Sequence, residues 1–600
     1  MTDATLKPAA PGVPPGLFAI TVFSSAALVF LVQPMVAKLV LPLLGGSPSV
    51  WNTSMAFFQM ALLAGYAYAH LLQRIRSVRG QAITHIVVLL LAAIALPLRV
   101  NDLAGPPSSD HPNLWLLSVL ALSIGAPFAV LSATAPLVQA WHARTVGAAG
   151  GKEPYVLYAA SNLGSLLALL AYPLIVEPAF PVVFQRYGWS TGYGVFILLI
   201  GALAFSISRV HAETAMAAPR SAAPPGAWRE RATWVALAAI PSSLMLGVSA
   251  YITTDVASAP FLWVLPLALY LTTFIIAFQE KPAISPEMTL TLQAAAMAAC
   301  VALLPFRATF YGLQLAIHLT AFFLTALMCH QRLVQRRPDP ARLTEFYLCL
   351  SIGGVVGGAF NAFLAPVIFD DVIEYPIVLV LACLARPWGD LNRTPIWIWV
   401  MFVLGVIAAV LTPVAETFIT PHLTTRPVVG SFDQAELFDM GMKAMLTLSV
   451  VCAFVVRGRA LFYLLIIAIL SYAAQTAADR TDTRKSWRSF FGVMKLSQTT
   501  VPALGGPVKM LAHGTTLHGA QAQTFNMSCR PLVYYAPHTP IGQVFRQKQA
   551  DKANLRIGAV GLGAGSVAAY VRPGDRLTFF EIDPLVLRIA IDPANFTYTT

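Results

Sequence analysis

Long apolar stretches alternate with short polar segments along the first four-fifths of the chain, and the pattern then changes. Each stretch has roughly 20 apolar residues, enough for a helix rising about 1.5 Å per residue to cross about 30 Å of hydrocarbon. The first stretch, residues 17–44, is too long for a cleaved signal peptide. The pattern therefore predicts a polytopic α-helical membrane protein with about 13 to 15 spans.

The predicted spans form two groups, within residues 1–208 and 232–476, joined by a basic Ala- and Pro-rich linker at residues 209–231. Two groups of spans are typical of transporters built from two repeated halves. The run at 373–386 is short enough to be re-entrant. We place the spans at 17–43, 51–72, 83–100, 114–140, 154–176, 190–207, 233–252, 260–278, 287–305, 309–330, 345–368, 373–386, 395–413, 441–456 and 460–475.

Basic residues between the spans predict the orientation, because cytoplasmic loops are rich in Lys and Arg. Short basic loops follow the second, fourth, sixth and tenth spans, which places the N-terminus in the cytoplasm. A further basic cluster precedes the tail, so we expect one weak run not to cross and the tail to be cytoplasmic too, at a bacterial inner (plasma) membrane. That cluster contains Arg480, Arg484, Lys485 and Arg488.

Composition supports a lipid environment and narrows the partners. The chain is 57% hydrophobic and 11% charged, whereas soluble proteins have about a quarter charged residues. The net charge of +12 is spread over loops without interleaved exposed aromatics, so we expect a lipid bilayer and no nucleic acid as a partner. The six cysteines show no paired spacing, which predicts neither disulfides nor a metal site. The oligomeric state stays open.

Ionisable and small residues within the spans have ordinary structural explanations. We expect Lys38 to reach an interface, Asp255 to lie in a loop and Glu345 to start its span beside Arg342. A pathway role is the alternative, because an ionisable group inside a membrane is costly. We expect helix or interface positions for His70, His318 and His330, and close helix packing at Asn162, Gly164, Ser165, Gly353, Gly354, Gly357 and Gly358.

After about residue 477 the hydropathy falls and the pattern predicts a soluble domain. Residues 477–554 contain short β-like segments, SFFGVMKL, TTLHGAQAQ and LVYYAPHTP. Residues 555–600 predict a strand, a glycine-rich turn with Gly561, Gly563 and Gly565, a helix and a second strand ending near Glu581. This order is typical of a Rossmann-like nucleotide site, in which the turn approaches the ligand and the acid binds the ribose.

The spacing within the turn favours one adenosyl group over a dinucleotide. It reads GxGxG, and Ser566 stands where a dinucleotide fold has the third glycine of GxGxxG. Asp583 and Pro584 then predict the start of a further helix.

The chain also resembles the fused membrane-bound spermidine synthase-like proteins, in which a multi-span region precedes an aminopropyltransferase-like domain. Membrane segments carry the resemblance, LVQPMVAK, PYVLYAASNLGSLLALLAYP and LTEFYLCLSIGGVVGGAFNAFLAP. Tail segments carry it too, WRSFFGV, HGTTLHGAQ, YYAPHTPIGQVF, GLGAGSVAAYVRPGD and FEIDP. Among these, the glycine motif is also shared with many methyltransferases.

The resemblance implies transfer of an aminopropyl group from decarboxylated S-adenosylmethionine to a small diamine such as putrescine. It implies that Gln521 and Tyr535 lie near the donor or the amine. The residues that it implies for binding the cofactor are Gly561, Gly563, Gly565, Glu581 and Gln521.

The chain departs from the pattern of this family in two places. Ala564 stands where soluble members have Asp. The second departure concerns the catalytic base, which is needed because an amine must lose a proton before it attacks. In the family this base follows a later strand, so we expect it beyond Thr600, the last residue of the sequence. We therefore expect a fragment of a longer protein, inactive at this length.

Two alternatives are open at this point. One is a transporter of polyamines or related cations with a nucleotide-sensing tail, and the other is an S-adenosylmethionine-dependent methyltransferase with a membrane substrate. An excess of Lys and Arg over Asp and Glu in the tail disfavours a dicationic substrate there.

Overall fold

The structure, a computed structural model of the chain, is helical as far as residue 480 and contains small sheets after it. It describes residues 14–99, 105–145, 155–210, 227–256, 262–279, 281–303, 311–338, 342–419, 427–429, 432–480, 483–514 and 516–599. Eleven of the described helices are long and apolar enough to cross a membrane, and three further apolar helices are shorter. The chain is therefore an integral multi-pass membrane protein.

The first half of the bundle runs from Pro15 to Val210. Short π-helical segments join α4 to α5 and α6 to α7, so each of these pairs is one continuous span. The helices are α1 (Pro15–Leu44), α2 (Pro48–Leu72), α3 (Val78–Ala92), α4 (Pro112–Leu120), α5 (Ala126–Thr145), α6 (Tyr155–Ala171), α7 (Glu177–Ala179) and α8 (Val182–Val210).

The second half of the bundle follows the linker and comprises α9 to α15. Three further helices, α16 to α18, pack against this half or against one another. The linker residues 211–226 lie outside the described residues. The helices are α9 (Ala227–Tyr251), α10 (Val264–Ala277), α11 (Pro286–Leu303), α12 (Tyr311–Val334), α13 (Leu343–Ala359), α14 (Ala365–Ile368), α15 (Glu374–Leu381), α16 (Ile396–Phe418), α17 (Gln434–Val455) and α18 (Ala460–Arg480). A two-stranded hairpin, β1 (Pro427–Val429) and β2 (Phe432–Asp433), precedes α17.

Helices therefore occur at all the predicted spans, including the short run at 373–386. That run begins with Tyr375 beside His318 at the start of α12. It ends at Ala385, whose carbonyl accepts a hydrogen bond from Arg332 at the end of α12. The run is a short apolar helix, Glu374–Ala385, and is not among the eleven helices long enough to cross a membrane.

The two halves repeat the same helix packing. In the first half α1 packs along α6 and contacts α8, and α2 packs on α5. In the second half α9 packs along α13 and contacts α15, and α10 packs on α12. The halves meet through α2 on α13 and α6 on α10, which are again equivalent pairs. The arrangement is transporter-like, because helical repeats of this kind build many transporter folds.

Small residues bring the equivalent helices close together, as predicted. A Cβ atom at Gly164 of α6 would lie 2.6 Å from the Phe23 carbonyl oxygen of α1. In the second half, a Cβ atom at Gly357 of α13 would overlap the Ala239 carbonyl oxygen of α9. Gly354 has open space around it and does not take part. Glycine at the two contact positions lets the backbones approach closely.

Lys38 and Glu345, two of the ionisable residues predicted in or beside the spans, are paired. Lys38 of α1 lies 2.5 Å from Glu177 of α7. Glu345 at the start of α13 accepts hydrogen bonds from Arg342 at 2.9 Å and from Arg231 at 2.5 Å. The expected position of Glu345 beside Arg342 is confirmed, whereas the ion pair of Lys38 was not anticipated. Asp255 lies in the π-helical segment Ile252–Val256 and not in a loop, and its side chain is outside the described residues.

The C-terminal part, residues 483–599, contains small sheets and two helices, α19 (Pro540–Asp551) and α20 (Pro584–Ile591). An antiparallel sheet has the order β3 (Thr483–Ser489), β4 (Gly492–Val501), β5 (Gly506–His513), β6 (Thr516–Ala522). Two parallel strands follow, β7 (Arg556–Val560) and β8 (Arg576–Phe580). The apolar core of the C-terminal part lies between the antiparallel sheet and the region of β7, β8 and α20. It contains Met494, Leu511, Leu562, Ile589 and Phe596.

Three local expectations for the C-terminal part need correction. The LVYYAPHTP segment is not a strand but contains a 3-10 turn, Val533–Tyr535, because prolines on both sides break the β pattern. Residues Ser566–Tyr570 form a 3-10 helix where an α-helix was expected. Finally, the described residues include only the two parallel strands of the expected Rossmann-like domain, so a domain of that kind is not shown.

The C-terminal part contacts the ends of the helices on one side of the bundle. Ser47, in the turn after α1, donates a hydrogen bond to the Phe490 carbonyl at 3.3 Å. Lys495 lies 2.7 Å from Asp371, just before α15. Since α1 starts on the other side of the bundle, the C-terminal part and Pro15 lie at opposite ends of the helices. The sequence predicted one side for the N-terminus and the tail, whereas Pro15 and the C-terminal part lie at opposite ends of the bundle.

The basic cluster at residues 480–488, most of which lies in β3, provides the physical reason for this difference. Arg488 is buried and pairs with both carboxylate oxygens of Glu374, at 2.7 and 2.9 Å. Its charge is neutralised within the protein, so it carries no information about the cytoplasmic side. The side chains of Arg480 and Arg484 lie outside the described residues, and Lys485 is exposed.

Candidate functional site

The predicted glycine-rich turn directly follows β7. Gly561, Gly563 and Gly565 all have positive φ angles, of 87°, 57° and 79°, a region that side-chain-bearing residues rarely adopt. A Cβ atom at Gly563 would also lie 2.7 Å from the His518 carbonyl oxygen of β6. Both conformation and packing therefore require glycine at position 563.

Glu581 lies at the carboxyl end of β8, next to this turn. Its carboxylate accepts a hydrogen bond from the backbone N–H of Leu562, within the turn, at 2.8 Å. The other oxygen accepts from the N–H of Asp583 at 2.9 Å. The structure thus brings together the glycine turn and the predicted acid. Each oxygen retains a lone pair, because a carboxylate has about four acceptor positions.

The side-chain amide of Gln521 is held by other residues of the C-terminal part. Gln521 is 2% exposed. Its amide oxygen accepts from the Thr597 N–H at 2.9 Å, and its amide nitrogen donates to the Thr597 hydroxyl at 2.8 Å. It therefore fastens the segment after α20 to β6. Tyr535 is half-buried, and its carbonyl accepts a hydrogen bond from the Tyr570 hydroxyl at 2.5 Å.

The resemblance implies a catalytic base, and none of the described residues of the C-terminal part is assigned to that role. It is expected beyond Thr600, and the described residues end at Thr599, so Thr600 itself lies outside them. We therefore assign no described residue as the base. Its position after a later strand stays a prediction.

Two histidines of the antiparallel sheet lie near the turn and were not assigned a role from the sequence. The rings of His513 and His518 are 5.7 Å apart. Burial lowers the pKa of His513, although a backbone hydrogen bond at Phe491 and the nearby carboxylates oppose the shift. Burial and the neighbouring His513 lower the pKa of His518. Both rings are therefore neutral at physiological pH.

A second candidate site lies in the membrane region where the two halves meet. Gln59, about halfway along α2, donates a hydrogen bond to the Ser242 hydroxyl of α9 at 3.0 Å. Asn361 donates to the neighbouring Ser243 hydroxyl at 2.6 Å. We call Gln59, Ser242, Ser243 and Asn361 the interhalf cluster. Gln59 belongs to the first half, and the other three residues belong to the second half.

Irregular helix geometry surrounds the interhalf cluster. Pro241 lies inside α9 directly before the two serines, and a proline in a helix removes one backbone hydrogen bond. Asn361 lies in a π-helical segment, Phe360–Leu364, that joins α13 to α14. Such π-helical segments often occur at functional sites.

The two amide oxygens of the interhalf cluster are buried without a hydrogen-bond partner in the part of the chain that the structure describes. Among the described residues, neither Gln59 Oε1 nor Asn361 Oδ1 has a hydrogen-bond partner, and both atoms are buried. A buried acceptor without a partner costs about 1–3 kcal/mol. Sequence analysis missed this cluster, because uncharged amides and hydroxyls in apolar spans give no signal until their helices are paired.

His70, His318 and His330, the three span histidines considered from the sequence, contact other side chains. Nδ1 of His70 lies 3.1 Å from the Thr344 hydroxyl, and Nδ1 of His330 lies 2.9 Å from the Thr273 hydroxyl. Nδ1 of His318 lies 2.9 Å from the Tyr375 hydroxyl. Their expected positions within and between helices are confirmed. Over the part of the chain that the structure describes, no group of three His, Cys, Asp or Glu residues is placed to hold a metal ion.

Comparison with known proteins gives similarity of shape alone. No protein family and no curated protein matches the sequence. The fold is similar to the human organic anion transporter MFSD10 (TETRAN), with a TM-score of 0.40 and 11% identity over 63% of this chain and 99% of that chain. It is also similar to a peptide transporter POT, with a TM-score of 0.39 and 14% identity over 62% of this chain and 93% of that chain.

The similarity to these two transporters is distant. At these scores and identities, the substrates of the two proteins say nothing about the substrate of this chain. No comparison supports the resemblance to a spermidine synthase.

Proposed function

We propose that the chain is a small-molecule transporter whose substrate path passes the interhalf cluster. The observation that carries this proposal is the repeated packing of two helical halves, with equivalent helices forming both contacts between them. In transporters built from parallel repeats, the substrate binds near the membrane midplane at the interface between the repeats. The interhalf cluster occupies such an interface.

The unpaired oxygens of the cluster favour a substrate that donates hydrogen bonds. Gln59 Oε1 and Asn361 Oδ1 are buried acceptors on the two sides of the interface. A substrate with N–H groups would recover the cost of leaving them unpaired. Amines, including polyamine cations, have this chemistry and are the proposed substrate class.

Uptake of labelled putrescine and spermidine into proteoliposomes containing the full chain tests this proposal. Saturable uptake is expected, and Gln59→Leu or Asn361→Leu should raise the half-saturating concentration. A lost hydrogen bond of about 1.4 kcal/mol corresponds to a tenfold increase. Gln547→Leu, on the exposed surface of α19, is the matched control and should behave as the unmodified protein. Absence of uptake of both amines would contradict the proposal.

We propose a second function, binding of an adenosyl compound, for the glycine turn of the C-terminal part. The hydrogen bond from Leu562 N–H to Glu581 supports it, because it joins the turn and the acid in one small site. In this proposal Gly561, Gly563 and Gly565 let the protein backbone approach the ligand closely. Glu581 accepts hydrogen bonds from the ribose hydroxyls. Aminopropyl transfer from decarboxylated S-adenosylmethionine is the finer form of this proposal.

Calorimetric titration of the full chain in detergent tests the second function. Decarboxylated S-adenosylmethionine should bind if the site serves aminopropyl transfer, and intact S-adenosylmethionine should bind better if it serves a methyltransferase. Glu581→Gln, which keeps the shape but loses the charge, should weaken binding about tenfold or more, because hydrogen bonds to charged groups contribute about 1.5–3 kcal/mol. If neither compound bound the unmodified protein, the adenosyl proposal would fail.

A further inference from the structure

The ends of the helices at one side of the bundle are rich in arginine. A hydrogen bond from Arg144 to Gln73 joins the ends of α5 and α2, and the His70 and Thr344 side chains join the end of α2 to the start of α13. Arg231 and Glu345 join the starts of α9 and α13 on the same side. The helix ends and loops on this side also contain Arg74, Arg76, Arg79, Arg332, Arg336 and Arg337.

Two turns on the opposite side contain no basic residue. The turn between α1 and α2, Gly45 to Ser47, has no basic residue, and the turn before α15 contains Asp370 and Asp371. By the positive-inside rule, the arginine-rich side is cytoplasmic and the opposite side faces out. This assignment uses several loops and helix ends along the chain, and it therefore outweighs the single basic cluster at residues 480–488.

The C-terminal part is attached to the arginine-poor side through both halves. Ser47 of the first half bonds to Phe490. In the second half, Glu374 pairs with Arg488, and their side chains are 0% and 7% exposed. Gly514 also lies against the backbone of Thr254, at the end of α9, where a Cβ atom would be 2.5 Å from the carbonyl oxygen. These contacts place the C-terminal part at one end of the helix bundle.

We propose that residues 483–599 form an extracytoplasmic cap, which joins the outer ends of both halves. A ligand at the glycine turn would then come from outside the cell. Adenosyl compounds made in the cytosol would not reach it there, so this inference restricts the second function proposed above. It does not depend on what the bundle transports, because the side of the cap is measured without any substrate.

The native cysteines provide the test. Cys529 in the cap is exposed, and Cys300, Cys329, Cys349, Cys383 and Cys452 are buried. A membrane-impermeant maleimide should therefore label only Cys529 in the folded protein. We expect labelling in right-side-out membrane vesicles and none in sealed inside-out vesicles. Labelling confined to inside-out vesicles would overturn the proposal.

Three variants make the result unambiguous. Cys529→Ser should abolish the label and serves as the background for the other two. In that background, Arg76→Cys, exposed after α2, should be labelled only in inside-out vesicles. Lys548→Cys, exposed on α19, should repeat the pattern of Cys529. Labelling of the residue 548 and residue 76 variants from the same side would overturn the proposal, even if Cys529 itself reacted slowly.

Discussion

At the residue scale, two half-buried histidines of the C-terminal part should make its stability depend on pH. The pKa values of His513 and His518 are lowered in the folded protein. In the unfolded chain an unperturbed histidine has a pKa of about 6.5. The unfolded state therefore binds more protons below that pH, and the contribution of these residues to stability is complete above it and is lost as the pH falls toward the folded pKa values.

We therefore predict that the melting temperature of the purified protein falls between about pH 7.5 and pH 5.5, across the ordinary histidine pKa. His518→Gln should flatten this dependence, since glutamine keeps a polar side chain that does not titrate. Differential scanning fluorimetry at several pH values measures it. An equally steep decrease in the variant would show that other groups cause the pH dependence.

Single residues also show what could be predicted from sequence. Glycines with positive φ at 561, 563 and 565 follow from a local turn pattern that is readable in the sequence. The side-chain partners of Gln521 could not be predicted, because Thr597 lies 76 residues away along the chain. The same holds for the two amide oxygens of the interhalf cluster.

At the element scale, packing of α13 on α9 depends on glycine at particular positions. Gly357→Ala should destabilise the protein by about 1–3 kcal/mol, the usual cost of an added carbon in a tightly packed position. Gly354→Ala is the matched control, since open space surrounds that residue. It should be neutral or slightly stabilising, because alanine favours helix.

Unfolding of both variants in mixed micelles measures the difference. Equal stabilities would mean that α9 and α13 are not in close contact.

The spans themselves were predictable, because each is defined by a continuous apolar run. Their pairing was not, since it depends on small residues that recur in many helices.

At the scale of the whole molecule, the buried pair of Arg488 and Glu374 holds the C-terminal part against the helices. Removing one partner from a buried ion pair leaves an uncompensated charge and costs about 3–5 kcal/mol. Arg488→Met should therefore strongly destabilise the attachment of the C-terminal part. The double variant Arg488→Met with Glu374→Leu should recover most of that loss, because it leaves no buried charge.

Limited proteolysis and thermal unfolding in detergent measure this effect. Lys485→Met is the control, because Lys485 is exposed on the same strand, and it should change little. A double variant as unstable as Arg488→Met alone would contradict the role of charge. The sequence could not reveal this pair, because its members are 114 residues apart. The prediction for the tail therefore treated Arg488 as an unpaired charge, and it differs from the position of the C-terminal part in the structure.

The transport proposed above requires the two halves to move relative to each other, as in other transporters built from repeats. His70 of α2 and Thr344 of α13 lie in different halves, with side-chain atoms 3.1 Å apart and away from the interhalf cluster. The most direct test is amine uptake by the His70→Cys, Thr344→Cys double variant in the Cys529→Ser background, before and after disulfide formation. We predict uptake in the reduced protein, its loss on oxidation and its return on reduction. Undiminished uptake by fully cross-linked protein, or none in either state, would contradict the account.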